Sequence, residues 1–184
     1  GPFEYRSCET DVLGWVCEAV AGRRMPELMS ELLWSRLGAQ QDATIGVDAA
    51  GAGLFDGGIS ACLTDLIRFG ILFVREGVSL TGHQVVPATW IADTLAGGPD
   101  SRQAFAASPD DTGMPGGMYR NQVWFPGPGS NVVLCQGMCG QMIYVDRAAE
   151  MVGAKLSSQS FAADPSMLSD TLRAFAAIAR ELGA

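Results

Sequence analysis

Apolar positions recur at helical spacing through most of the first hundred residues. Thr10 and Asp11 open a run in which Val12, Leu13, Val16, Cys17 and Val20 fall together, and Gly22 stands where a C-cap belongs. Pro26 suits the first turn of a second helix that carries Leu28, Met29, Leu32, Leu33 and Leu37 and stops at Gly38, so the two form an αα-hairpin. Residues 39–58 are rich in Gly and Asp and read as a long loop, with one short extended piece near Thr44 to Val47. Leu63, Leu66, Ile67, Gly70, Ile71 and Val74 mark a third helix ended by Gly77. A fourth follows Pro87 through Trp90, Ile91, Thr94 and Leu95 to Gly97.

Beyond this point the period changes. Residues 99–117, dense in Asp, Ser, Pro and Gly, are expected to form a surface excursion without regular structure. Asn121 to Phe125, Val132 to Cys135, Gln141 to Val145 and Met151 to Leu156 are short apolar or alternating runs set off by turn residues, the pattern of consecutive antiparallel strands. Pro165 to Leu182 places Leu168, Leu172, Phe175, Ala179 and Leu182 on one stripe, as a helix covering that sheet would. Helices followed by strands and a covering helix define an α+β fold, with residues 1–117 its mainly helical part and 118–184 the sheet and final helix of the same domain.

Composition narrows the function. The 184 residues are 48% apolar and 17% charged, enough for one well-formed core, and the net charge is −8. That acidity opposes nucleic acid or an anionic bilayer as principal partner, and no apolar stretch approaches the roughly 20 residues of a membrane helix. A small molecule or a protein is the expected partner. Five cysteines, an odd number dispersed through a chain of this size, point to a reducing, cytoplasmic compartment rather than a disulfide framework. Gly1-Pro2-Phe3 carries neither an initiator Met nor a signal sequence. Gly1-Pro2 is then either a scar of tag removal or the start of the later part of a longer protein.

Candidate chemistry is sparse. His83 lies in a turn with no ligand set around it, and Cys135 and Cys139 lack the second pair a structural zinc site would want, so they read as free thiols and no metal or cofactor is expected. Gly51, Gly53, Gly57 and Gly58 are not followed by a phosphate-binding fingerprint. Gly137-Met138-Cys139-Gly140 sits between two strands, where glycine permits either a tight turn or the close approach of a ligand.

Several segments resemble, in order, class C β-lactamase-like serine hydrolases of the penicillin-binding-protein superfamily, closest to the branch of 6-aminohexanoate-dimer hydrolases and related esterases. Phe3-Glu4-Tyr5-Arg6-Ser7 and the helix after it resemble the family's Tyr-x-Asn/Ser motif. Gly57-Gly58-Ile59-Ser60 with Thr64-Asp65-Leu66-Ile67-Arg68-Phe69-Gly70 resembles a second family segment, Val85 to Ile91 and Tyr119 to Trp124 two more, and Gly137 to Asp146 the strand-turn that faces the acyl site. The resemblance implies the β-lactamase/transpeptidase-like fold, here incomplete, and attack by a serine of Ser-x-x-Lys on an amide or ester carbonyl through an acyl-enzyme.

By the same resemblance Tyr5 relays the proton, which a phenol of ordinary pKa near ~10 can do only beside cations that stabilise its anion. Ser7 bonds the lysine or the substrate amide, and the Met138 N–H forms half of an oxyanion hole whose other half is the nucleophile's own N–H. Gly137, Cys139 and Gly140 border the substrate, and Asp56 attracts an ammonium group. Two departures stand out. Lys155 is the only lysine and is preceded by Val152, so the chain has no Ser-x-x-Lys, and Cys135-Gln136-Gly137-Met138 replaces the Lys-Thr-Gly of true β-lactamases. The resemblance therefore implies an N-terminal half of the fold as structural partner, whose loss would uncover strand edges and one face of the sheet. A non-catalytic binding module or inactive relative is the alternative.

Overall fold

The computed structural model describes residue 1 and residues 3–183; the reading of Gly1-Pro2 as a scar falls partly on Pro2, which lies outside the described residues. Helix α1 (Cys8–Ala21) ends at Gly22 in the left-handed conformation, φ 64°, where a side chain would be strained. Helix α2 (Met25–Met29), with Pro26 in its first turn, passes through a π-helical stretch (Ser30–Trp34) into α3 (Ser35–Leu37) and stops at left-handed Gly38. A two-stranded ribbon follows, β1 (Thr44–Ile45) antiparallel to β2 (Ile59–Ser60), and then α4 (Leu63–Val74) and α5 (Ala88–Ala96).

The centre of the molecule is a five-stranded antiparallel meander: β3 (Met118–Arg120), β4 (Val123–Phe125), β5 (Val132–Gln136), β6 (Met142–Asp146) and β7 (Met151–Lys155), in that spatial order. Strand alternation divides its side chains between two cores. Met118, Val123, Phe125, Val133, Ile143 and Val145 face Phe73 of α4 and Ile91 of α5. Trp124, Leu134, Met142 and Tyr144 face the other way, toward Phe105, Met114 and the stripe Leu168, Leu172 and Phe175 of α7 (Pro165–Leu182). Close approach on both sides requires glycine. A Cβ on Gly70 of α4 would stand 2.6 Å from Val152, and one on Gly153 of β7 would stand 2.4 Å from the Phe175 ring. The helix–sheet layers confirm the α+β architecture.

Three expectations need correction. Residues 99–117 are structured: α6 (Ser101–Ala106) and a 3₁₀ turn (Pro109–Thr112) bury Phe105 and Met114 in the second core. A segment that polar hides its two anchors from a composition argument. The strand expected from Asn121 begins at Val123, because Asn121 and Gln122 both adopt left-handed backbone, φ 49° and 68°, and form the β3–β4 turn. The expected bare sheet face is not found, because helices cover both faces; β3 and β7 are the unpaired edges of the sheet, and α1 adds an exposed apolar group in Val12, Leu13, Trp15, Val16 and Val20.

Asp65 ties the helical part to the loop before β1. Its side chain is fully buried and accepts from the backbone N–H of Gln40 (3.0 Å) and Gln41 (3.0 Å), from the Cys62 thiol (3.2 Å) and from Arg68 (3.1 Å). Burial opposes its ionisation, but the Gln40 N–H, the Cys62 thiol, the Gln41 N–H and the Arg68 charge outweigh that and hold its pKa below the ordinary 3.8. A depressed carboxylate pKa adds stability above the unfolded value and loses it as pH falls through the folded one. Asp65→Ala, which strands two backbone donors and Arg68, should cost about 3 kcal/mol in urea unfolding at pH 7. The gap from the parent chain should narrow as pH falls below 3.8; parallel stability profiles down to pH 2 would refute this role.

Candidate active site

The segment ahead of α1 is held by aromatic packing. Phe3 donates its N–H to the Ala104 carbonyl (2.9 Å), and its ring sits 5.5 Å from Phe105, 5.2 Å from Tyr119 and 6.0 Å from Trp124. Two residues on, the Tyr5 ring lies tilted on Trp124 at 5.2 Å and edge-on to Tyr119 at 5.8 Å, while Tyr5 as a whole remains 43% exposed. Such offset and edge contacts are the favoured aromatic geometries, so the ring is fixed while part of the residue stays open to solvent. Ser7 follows at the N-cap position of α1 in helical backbone, and its side chain makes no capping bond.

The start of α1 is pinned from two sides. The Gln122 Oε1, presented by the left-handed β3–β4 turn, accepts from the Thr10 hydroxyl (3.1 Å) and the Tyr119 hydroxyl (2.7 Å). The Asp11 carboxylate accepts from the backbone N–H of Phe55 (2.6 Å) and Asp56 (3.1 Å), bringing the 46–58 loop against the helix. Gly14 leaves the slot for the Phe55 ring, whose nearest atom would be 2.2 Å from a Cβ there. Tyr5, Ser7 and exposed Asp56 are thus gathered about one helix end.

Gly137 to Gly140 form the β5–β6 connection. Gly137 donates to the Gln141 carbonyl (2.9 Å), Cys139 is left-handed at φ 57°, and Met138 is 65% exposed with an N–H that finds no acceptor among the described residues. The register pairs Trp124 with Leu134, so the chain runs from Leu134 to this turn toward the same end of the sheet at which Asn121 and Gln122 turn. Both turns, and the Tyr5 segment packed beside β3 and β4, therefore occupy one end of the sheet. Among the described residues, no hydrogen bond joins the Tyr5 group to the Gly137–Gly140 turn.

Electrostatically the area is quiet. Burial, with Tyr5 and Cys135 nearby, pushes the Tyr119 phenol up, and burial alone pushes the Cys135 thiol up to about 12, so both keep their protons near neutrality. Arg6, next to Tyr5, is engaged by Glu4 (2.6 Å) and Glu9 (3.8 Å), and Lys155 donates to Thr171 on α7 (2.9 Å). His83 is an exposed turn residue 3.0 Å from the Thr81 hydroxyl. All five cysteines are free, and no group of His, Cys, Asp or Glu among the described residues is placed to hold a metal ion. No helix among them is long and apolar enough to cross a membrane.

The sequence matches the Beta-lactamase family over residues 1–178. The chain belongs to that family. A 6-aminohexanoate-dimer hydrolase of Paenarthrobacter ureafaciens is 40% identical over 158 residues, which are 86% of this chain and 40% of that protein. Among solved structures, a Bacillus anthracis protein assigned as a 6-aminohexanoate-dimer hydrolase superposes on 99% of the chain with a TM-score of 0.83 at 26% identity, covering 45% of that protein. One from Bacteroides dorei assigned as a β-lactamase shares the fold, with a TM-score of 0.61 at 16% identity over 94% of this chain and 58% of its own. This family member thus spans about two fifths of the length of the curated relative it matches.

Sequence reasoning missed Asp11, Gln122 and Gln141 as organisers of this region. Asp11 was visible only as a helix-opening residue, and the left-handed turn that presents Gln122 has no glycine to advertise it. Asp11→Ala should cost about 1–2 kcal/mol by stranding the Phe55 and Asp56 donors and should make the 46–58 loop a preferred cleavage site in limited proteolysis. Unchanged cleavage kinetics would contradict its role.

Proposed function

We propose that this chain forms part of a serine acyl-hydrolase that cleaves amide or ester bonds through an acyl-enzyme, with short amides and esters of the 6-aminohexanoate-oligomer or esterase kind as substrates. The observation that carries the reading is the sharing of one sheet end by a partly open, ring-packed tyrosine and a turn bearing an unpaired N–H. Belonging to the Beta-lactamase family and the likeness to 6-aminohexanoate-dimer hydrolases support it.

In this mechanism a serine and lysine of an upstream Ser-x-x-Lys segment complete the site. The serine oxygen attacks the carbonyl carbon, and its proton passes toward the lysine and Tyr5 and then to the leaving group. The developing oxyanion takes the Met138 N–H and the serine's own N–H. Ser7, free of capping duty, bonds the lysine or the substrate amide, and Asp56 draws in the ammonium end of an amino-acid amide. Gly137, Cys139 and Gly140 border the substrate beside the carbonyl. The cation that Tyr5 needs is assigned to the upstream lysine, since Arg6 and Lys155 are otherwise engaged.

The 184 residues alone should not turn over p-nitrophenyl esters, because they hold neither the nucleophile nor its lysine. The reading frame extended upstream of Gly1 should be labelled by a fluorophosphonate on a serine that precedes Tyr5, and Tyr5→Phe should slow labelling about 100-fold or more. Absence of a reactive serine in that extended protein would overturn the reading in favour of a binding module.

A further inference from the structure

We propose that Gln141 is the positioning residue of the oxyanion turn, an inference that rests on the serine-hydrolase reading above. A connection of two glycines and two exposed or half-exposed residues has little burial to fix it, yet a useful oxyanion donor must be held in place before the charge develops. Every polar group of Gln141 is used for that purpose. Its carbonyl accepts from Gly137 (2.9 Å) and its N–H donates to Met138 O (3.4 Å), closing the turn. Its side-chain amide accepts from the Ser157 N–H (2.9 Å) and donates to the Ser157 carbonyl, bolting the turn to the segment that leaves β7.

That segment then straps the turn from above. Gln159 N–H donates to the Cys139 carbonyl (3.1 Å), and Cys139 N–H donates to Ala162 (3.0 Å), which holds Cys139 in its left-handed conformation. Gly140, at φ 82°, leaves the space its Cβ would fill to the Gln159 amide, 2.5 Å away. The bonds consume the N–H groups of Gly137, Cys139 and Gln141 and leave those of Met138 and Gly140 without an acceptor among the described residues. A donor already free needs no bond broken when an oxyanion arrives. Gln141 touches neither the reacting atoms nor the substrate in this scheme; it acts through the turn.

Residue-resolved amide hydrogen exchange on the 184-residue chain tests the clamp without any catalysis. Met138 should exchange at nearly the unprotected rate while Cys139 and Gln159 are protected. Gln141→Ala should lower protection at Cys139 and Gln159 at least about tenfold and leave Tyr144 in β6 unchanged. Unaltered protection at Cys139, or a protected Met138 in the parent chain, overturns the proposal. If Gln141→Ala does not fold, the isosteric Gln141→Glu, which keeps the acceptor for Ser157 N–H but turns an oxygen on the Ser157 carbonyl, gives the same readout. In the upstream-extended enzyme, Gln141→Ala should lower kcat at least about tenfold with KM held within about twofold, the mark of an interaction made in the transition state. An active parent whose kcat is unmoved by the substitution refutes the positioning role. An inactive parent refutes the serine-hydrolase reading, and with it the oxyanion assignment, whatever the exchange pattern.

Discussion

The candidate site depends on the indole of Trp124. Phe3, Tyr5, Phe105 and Tyr119 all pack against this one ring, at centroid separations of 4.8 to 6.2 Å. These contacts link the segment before α1, helix α6 and the edge of the central sheet. Without that ring the Tyr5 segment would keep the contacts of Phe3 and Tyr5 with the edge-strand Tyr119, the bond of Thr10 to Gln122, and the ties of Phe3 to Ala104 and Phe105 of α6. Because a ring cluster is wide, rigid and low in side-chain entropy, it can hold a half-open tyrosine on a surface where a longer aliphatic side chain would wander. The sheet behind Trp124 is in turn rigid, since Leu134, its cross-strand partner, is fully buried.

Around this anchor the loops are fastened by a repeated device, a side chain from one element satisfying the backbone donors of another. Asp65 does so for the approach to β1, Asp11 for the loop that carries Asp56, and Gln141 for the strap beyond β7. Each removes an unmet donor from a loop and sets that loop against a helix or strand that cannot move far. Gln122 uses hydroxyls in the same way to link α1 to the β3–β4 turn. The loops of this family member can therefore be rich in glycine and still present defined atoms.

The regular elements were readable because their causes are local. Gly22 and Gly38 end their helices at the positions the apolar period indicates, and Pro165–Leu182 is helical over the whole length its stripe marks. Where the cause is distant, the sequence is silent. Residues 99–117 fold because Phe105 and Met114 find a core built by strands that come later in the chain. The Asn121–Gln122 turn is left-handed without glycine, and the bond that gives Gln122 its meaning spans 112 residues. At the site, motif resemblance singled out Tyr5, Ser7, Asp56 and the Gly137–Gly140 turn. The supporting residues Asp11 and Gln141 lie within resembling segments, but their roles become visible only through their contacts.

The central claim is that Tyr5 and the Met138 N–H serve one reacting centre. A crystal structure of the upstream-extended protein bearing a covalent phosphonate tests it most directly, since the adduct mimics the tetrahedral intermediate. The account predicts a phosphonyl oxygen within hydrogen-bond distance of Met138 N and the Tyr5 hydroxyl beside the modified serine. An adduct whose oxygens contact neither group would contradict it.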